Sequence, residues 1–296
     1  MLISRALPQL HDQAVVVTGA GNGIGAEVAR GLIARGAAVA LVDRDEEAVC
    51  RLAEELGPRA AAFFGDVTVD ESIRAAASAA AARFGRIDAV VANAGVVGRP
   101  ASVAALRPGD FERVVEVNLF GVYRTVAAML PHLAGGGYIL AVSSIAAVIP
   151  GPTISAYVAS KAGVEAFSRA LRIELRQTGI RVGIAYFGLV ETGLARDLTQ
   201  SGLGAVLATF PKALATPIPV RRASDAIVLG VERRSRRVCA PWWVPALLDL
   251  RPLAIAADRV LERHPAITAM TAAERRQLVE QAPANDSGAG RKEVGR

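Results

Sequence analysis

Cysteine is scarce in this chain: there are two among 296 residues, Cys50 and Cys239, far apart and without a CxxC pair or metal-ligand spacing. That excludes a disulfide-stapled scaffold and a cysteine-based metal site; reduced thiols filling small core positions are expected, in a cytosolic setting. Aromatic residues are also few, at 5%. Residues 221–296 hold 14 Lys/Arg against 9 Asp/Glu, but no aromatics are interleaved with these cations as a base-stacking platform requires. The basic surplus therefore reads as solvated surface, and a nucleic-acid partner is excluded. Long hydrophobic runs are missing too. A long stretch without charge, residues 133–160, is broken by Gly135 to Gly137, Pro150, Gly151 and Pro152, leaving about a dozen apolar residues where a membrane span needs about 20. Residues 1–13 carry Arg5, Pro8, His11 and Asp12 and no apolar block of signal-peptide length, so a cytoplasmic location is expected. The three histidines, His11, His132 and His264, have no evident serine partner and no GxSxG accompanies them, which argues against a serine hydrolase.

What remains is an ordinary globular composition, 52% hydrophobic and 21% charged. A chain this long buries roughly three quarters of its unfolded surface, so its core needs no metal. One domain over residues 1–296 is expected, with a core at about 12–240, an extension at about 241–285 and a frayed polar tail at 286–296. Short apolar runs alternate with helical periodicity, the pattern of parallel strands joined by crossover helices. Strands are predicted at Ala14–Val17, Ala37–Val42, Ala60–Phe64, Ala89–Val91, Tyr138–Val142, Val182–Tyr186 and Val238–Ala240. A first helix carries Ile24, Val28, Leu32 and Ile33, and others are predicted at Glu46–Leu56, Asp70–Phe84, Pro108–Leu130, Ala156–Thr178 and Ser224–Arg233. The expected fold class is α/β: a doubly wound parallel sheet of about seven strands, helices on both faces, and a helical C-terminal extension.

The first strand runs into Thr18-Gly19-Ala20-Gly21-Asn22-Gly23-Ile24-Gly25 and then a helix. Glycines there let the backbone turn sharply and approach a ligand, while the helix start offers free N–H groups and a positive dipole end to a pyrophosphate. Gly21, Gly23 and Ala26 satisfy GxGxxA, a pattern that on its own also fits plain helix-to-strand packing. Asp43 ends the second strand 20 residues after Gly23, placed to accept from adenosine ribose hydroxyls and to repel a 2′-phosphate. NAD is therefore expected; Arg44, next along, leaves NADP as the alternative.

Tyr157 and Lys161 stand four apart in a helical stretch, on one face. Making phenolate available at neutral pH means a shift of ~3 units, about 4 kcal/mol. One ammonium at ~4 Å in an effective dielectric of ~20 supplies ~4 kcal/mol before desolvation. Tyr157 can then act as general base toward an alcohol, or as acid in reverse.

With these residues in view the chain resembles the single-domain branch of the short-chain dehydrogenase/reductase family, which has a Rossmann-type fold. The likeness lies in Thr18-Gly-x-x-x-Gly23-x-Gly25, Asp66-Val67, Asn93-Ala94-Gly95, Asn118, Ser144 and Tyr157-x-x-x-Lys161, and spans roughly residues 12–240. The resemblance implies that Ser144 holds the substrate oxygen against Tyr157, that Lys161 also grips the nicotinamide ribose, and that Asn118 holds a proton-relaying water. It implies that Asp66 contacts adenine, with Val67 beside it, and that Asn93 contacts the adenosine side, with Ala94 and Gly95 beside it. Ser143 is the alternative serine, turned to the opposite face by strand alternation. After the sixth strand the family usually has Pro-Gly and then a threonine at the carboxamide. Here the run is Phe187-Gly188-Leu189-Val190-Glu191-Thr192; Gly188, Val190 and Thr192 are kept as cofactor contacts, and Phe187 replaces the proline.

Residues 193–220 are mainly small and apolar, with Leu194, Leu198, Leu203, Val206, Leu207 and Phe210. By the resemblance they cover the substrate, which points to a lipophilic alcohol or ketone, steroid-like, retinoid-like or long-chain; plain helix packing accounts for them equally. Beyond Ala240, Trp242, Trp243, Leu247, Leu248, Leu250, Leu253 and Ile255 lie near Arg251 and Arg259. Such a patch suits a weak membrane-surface contact, a cover for the active site, or a subunit contact. A homodimer or homotetramer, pairing helices 108–130 and 156–178, is implied by the resemblance. The expected activity is NAD(P)-dependent hydride transfer to or from a secondary alcohol or ketone; the alternative is a non-catalytic nicotinamide sensor, which has no chemical reason to keep Ser144, Tyr157, Lys161 and Asn118 together.

Overall fold

The structure, a computed structural model, describes residues 10–193, 195–196, 202–256 and 258–281. Seven strands form one parallel sheet in the order β3-β2-β1-β4-β5-β6-β7: β1 Ala14–Thr18, β2 Ala38–Asp43, β3 Ala60–Phe64, β4 Ile87–Ala92, β5 Leu133–Val142, β6 Arg181–Phe187 and β7 Arg237–Ala240. The central strands are continuous apolar runs because both faces are covered. On one face Val15, Val17 and Leu41 pack with Val28 and Leu32 of α1 (Gly23–Ala34), Val49 of α2 (Glu46–Leu56) and Ile227 and Val231 of helix Val220–Arg233. On the other, Val16, Val42 and Val90 meet Ile73 and Ala77 of α3 (Asp70–Phe84), while Ile139, Ala141 and Val182 meet Val164 and Leu171 of α6 (Ser155–Glu174).

Two glycines set the spacing of these layers. A Cβ on Gly31 in α1 would stand 2.8 Å from Val228 Cγ2, so the helices cross closely there. A Cβ on Gly183 in β6 would stand 2.2 Å from the Tyr138 hydroxyl, which crosses that point to donate to the Ser235 carbonyl at 2.8 Å.

Three expectations are corrected. The helix predicted as one piece over Pro108–Leu130 is α4 (Asp110–Val115), a π turn (Glu116–Phe120) and α5 (Gly121–Met129); a π turn is a wider coil, and it carries Asn118 into the interior. Residues Gly135 to Gly137, read as a break, lie inside β5, where the register against β4 shifts between Ile87 and Ala89. Cys50 is exposed, not core, because α2 buries Val49 and Leu52 and turns the next position outward; both thiols are free. The C-terminal extension is helical, over Val244–Asp249, Arg251–Ala256, Asp258–Glu262 and Pro265–Gln281. Among the described residues no helix is long and apolar enough to cross a membrane. The predicted tail 286–296 lies outside the described residues, as do Leu194 and Leu198.

Candidate active site

The C-terminal ends of β1, β2, β4, β5 and β6 open onto one cavity of about 900 Å³. Its wall includes Gly19, Asn22, Gly23, Ile24, Asp43, Arg44, Asp66, Val67, Asn93, Ala94, Gly95, Ser144, Tyr157, Lys161, Gly188, Val190 and Thr192, so most sequence-predicted site residues meet there. Thr18, Gly21, Gly25 and Asn118 stand behind the wall and shape it. The Thr18 hydroxyl accepts from the N–H groups of Asn93 and Ala94 at 3.2 and 3.4 Å, and the Asn93 amide donates back to the carbonyls of Thr18 and Gly19 at 3.0 and 3.2 Å. Gly21 N–H donates to Asp43 Oδ2 at 2.9 Å. At Gly25 a Cβ would lie 2.1 Å from the Gly19 carbonyl oxygen, so only glycine lets α1 start this close to the turn.

The loop fits the phosphates of a dinucleotide. Asn22 caps α1 without a side-chain hydrogen bond and the first turn has no acidic residue, which leaves the turn's free N–H groups for an anion. Gly23 sits at φ +53, and nothing stands closer than Thr192 Cγ2, 3.7 Å from where its Cβ would be. The carboxylate of Asp43 is held by two backbone donors, Gly21 N–H and Asp45 N–H, at 2.9 and 3.0 Å. Asp66 is likewise fixed, its Oδ1 accepting from Thr68 N–H and hydroxyl at 2.8 and 2.7 Å.

At the other end of the predicted machinery, α6 begins at Ser155 and presents Tyr157 and Lys161 on one face. Lys161 is buried, and its ammonium donates to the Val142 carbonyl at 2.8 Å, lying 5.7 Å from the centre of the Tyr157 ring. Desolvation lowers its pKa to about 8. The phenol departs from expectation: burial pushes Tyr157 above the ordinary tyrosine range, and only the Ser144 hydrogen bond opposes this. The ammonium, bonded to a carbonyl and facing the ring, does not bring the phenol down. Ser144 Oγ accepts from Ala146 N–H at 3.1 Å and donates to the Phe187 carbonyl at 3.5 Å, whereas Ser143 Oγ donates to the Lys161 carbonyl at 2.8 Å. The two serines thus engage different partners, Ser143 tying β5 to α6.

Asn118 is fully buried. Its Oδ1 accepts from Val96 N–H, and its amide donates to the Val96 carbonyl and to Ser160 Oγ, at 2.8, 2.8 and 2.9 Å. Ser160 Oγ donates in turn to the Tyr157 carbonyl at 2.8 Å, so Asn118 fixes the turn of α6 that carries the phenol. Phe187 ends β6 beside Ala240 of β7 and packs into the core with Val190 and Ile218.

Several lining residues escaped the sequence reading. Leu261 and Ile267, from the last two helices, reach the cavity with Trp243 and Leu247. Trp243 donates from Nε1 to the Ala213 carbonyl at 2.9 Å, and His264 stacks on Phe210 and bonds the Thr209 hydroxyl at 3.1 Å. The apolar composition of the extension was visible; which of its residues fold back was not. Trp242, by contrast, is 82% exposed.

Comparison with known proteins places this geometry. The family model described as short chain dehydrogenase matches residues 13–202. The chain belongs to the short chain dehydrogenase family. It is an oxidoreductase of that family, similar to cis-4-hydroxycyclohexanecarboxylate dehydrogenase of Sinomonas cyclohexanicum, with 39% identity over 63% of this chain and 77% of the relative. It is also similar to L-fucose dehydrogenase of Bos taurus, with 33% identity over 74% and 83%. Among solved structures, the 3-ketoacyl-(acyl-carrier-protein) reductase from Brucella melitensis complexed with NADH superposes with a TM-score of 0.70, at 28% identity, over 78% of this chain and 97% of that one. The match to the short chain dehydrogenase model ends at residue 202, so the helices over Val244–Gln281 lie outside it.

Proposed function

We propose that this short chain dehydrogenase interconverts a lipophilic secondary alcohol, alicyclic or long-chain, and its ketone, with NAD as cofactor. The observation that carries the reading is the wall of the cavity. Ser144, Tyr157 and Lys161 open into it beside the glycine loop, and every lining residue after residue 205, from Val206 to Ile267, is apolar. Apolar lining with few polar anchors suits a hydrophobic ligand, and no Arg or Lys of that part offers a carboxylate clamp. The relative from Sinomonas cyclohexanicum, named for a ring alcohol, supports an alicyclic substrate; the apolar roof argues against a sugar such as the substrate of the bovine relative.

Gly19, Gly23 and the start of α1 would hold the pyrophosphate, Asp43 the adenosine ribose, and Lys161, Gly188 and Thr192 the nicotinamide end. When bound, that cofactor accepts the hydride of the alcohol or returns it to the ketone. The Tyr157 phenol, protonated at neutral pH, donates its proton to the ketone oxygen; in the oxidative direction it must first lose that proton and then takes the one from the substrate hydroxyl. Ser144 shares the hydrogen bond at the substrate oxygen and keeps it within reach of Tyr157. Lys161 stands one turn behind, its ammonium the cation that faces the negative charge left on Tyr157 once the proton has gone, and Asn118 holds the α6 turn through Ser160. A carboxylate at Asp43, already fixed by Gly21 and Asp45 N–H groups, repels a 2′-phosphate, which favours NAD over NADP.

The test is a panel of cyclic and long-chain secondary alcohols and L-fucose, with NAD or NADP, read as absorbance of reduced nicotinamide. Turnover of cyclohexanol-like alcohols with NAD is expected; turnover of L-fucose alone, or of NADP alone, overturns the corresponding half of the proposal.

A further inference from the structure

A second cavity, of about 260 Å³, shares no wall residue with the first. Five arginines line it: Arg169 and Arg172 from α6, Arg236 and Arg237 at the start of β7, and Arg251 from the C-terminal helices. Two carboxylates answer them. Arg237 pairs with Asp249 at 2.5 Å, and Arg251 with Glu165 at 2.7 Å while its second nitrogen donates to the Ala147 carbonyl at 3.0 Å. Arg169 reaches Glu165 only at 3.7 Å. Arg172 donates to the backbone carbonyls of Val182 and Arg236, at 2.9 and 3.3 Å, and the Arg236 guanidinium has no hydrogen-bond partner among the described residues. Positive charge is thus crowded and unmatched: burial first, and then the charge of Arg236, push Arg172 below the ordinary arginine range.

We propose that this cavity binds a small phosphate ester carrying a free hydroxyl, its phosphate oxygens held by Arg236, Arg172 and Arg169. Guanidinium forks match phosphate oxygens, and donors converging from α6 and from β7 suit a tetrahedral dianion better than a flat carboxylate. A dianion also offsets more of the unmatched charge than a monoanion does. Tyr186, whose hydroxyl has no partner among the described residues, lines the same space and adds a neutral donor. The hydroxyl requirement comes from Glu165. Its side chain is 8% exposed, and Oε2 is buried without a partner. A buried acceptor of this kind needs a donor, which a hydroxyl on the ester's carbon part supplies and the fully ionised phosphate of a monoester does not.

Calorimetric titration of the full chain at pH 8 with glycerol 3-phosphate and with methyl phosphate, a monoester that lacks a hydroxyl, against chloride at matched ionic strength, tests this. NADH is kept saturating so that the glycine loop is occupied. One saturable site is expected, tighter for glycerol 3-phosphate than for methyl phosphate, and weakened about tenfold in Arg236→Gln and in Arg169→Gln. Both side chains support few other contacts, and unchanged thermal unfolding without ligand shows that the variants fold. Equal binding by wild type and both variants overturns the site, and equal affinity for the two phosphates overturns the role of Glu165. Absence of binding overturns the whole proposal; a change of sedimentation coefficient in Arg236→Gln would then mark the cavity as a contact between copies of the chain.

Discussion

Lys161 stands one helical turn beyond Tyr157, with its ammonium 5.7 Å from the centre of the phenol ring and bonded at 2.8 Å to the carbonyl of Val142. The cation is pinned by the sheet, so its place relative to the ring is set by β5 as well as by α6. Burial leaves the phenol with its proton at neutral pH. Removing the hydroxyl should be decisive: Tyr157→Phe is expected to lower kcat by at least about a hundredfold in both directions, as loss of a general acid-base group does. NADH affinity, read by fluorescence titration, should stay within about twofold of wild type, since the ring and Lys161 remain.

The raised phenol also sets a pH dependence. Alcohol oxidation needs the deprotonated oxygen and ketone reduction the protonated one. Oxidative kcat/KM should therefore climb with pH across the neutral and alkaline range, while reductive kcat/KM holds and then falls. Parallel profiles from pH 6 to 10 check this, and an oxidative rate that is flat in pH would contradict it.

Lys161 has a consequence for stability. Its folded pKa, about 8, is below the ordinary lysine value of 10.5, so between these values the unfolded chain binds more protons and stability rises with pH. The gain amounts to roughly 3 kcal/mol at most. Above pH 9 the raised thiol of Cys239 works in the opposite direction, and above pH 10 so do the raised phenols of Tyr138 and Tyr186. The clean window is pH 8 to 9. Urea unfolding of the cofactor-free protein should show a rise there in wild type that is missing in Lys161→Met.

Asp43 joins cofactor choice to loop shape, because its two oxygens hold Gly21 and Asp45. Asp43→Ser should raise the NADP to NAD ratio of kcat/KM by about tenfold or more, mainly through lost repulsion and lost ribose contacts. Initial rates with each cofactor provide the check, and an unchanged ratio would assign Asp43 to the loop alone.

Gly183→Ala should destabilise by about 1–3 kcal/mol, as overpacking does, since the new methyl would meet the Tyr138 hydroxyl at 2.2 Å and the Ser235 carbonyl at 2.3 Å. Gly135→Ala, with nothing within 4 Å, is the matched control and should be near neutral. Midpoints of denaturant unfolding distinguish the two.

Much of this was legible because it is local. Parallel strands buried on both faces read as apolar runs, and Asp43 at the end of β2 and Gly36 at φ +88 after α1 are positions that a short window dictates. What escaped was set by distant parts of the chain. The π turn at Glu116–Phe120 goes with the bonds of Asn118 to Val96 and Ser160, and the 3.6-residue period of the helix does not announce it. The phenol's pKa depends on burial, and the ammonium's direction on a carbonyl of β5. Leu261 and Ile267 reach the cavity from helices whose docking no window of sequence encodes.

That last arrangement divides the labour of the molecule. The groups proposed to handle the proton and the nucleotide all occur before residue 193, while much of the greasy ceiling over them is supplied by stretches beyond 205, including helices the family match does not reach. Appetite for one alcohol or another can thus be rewritten in the tail, by exchange or trimming of whole helices, with the chemical engine left as it stands.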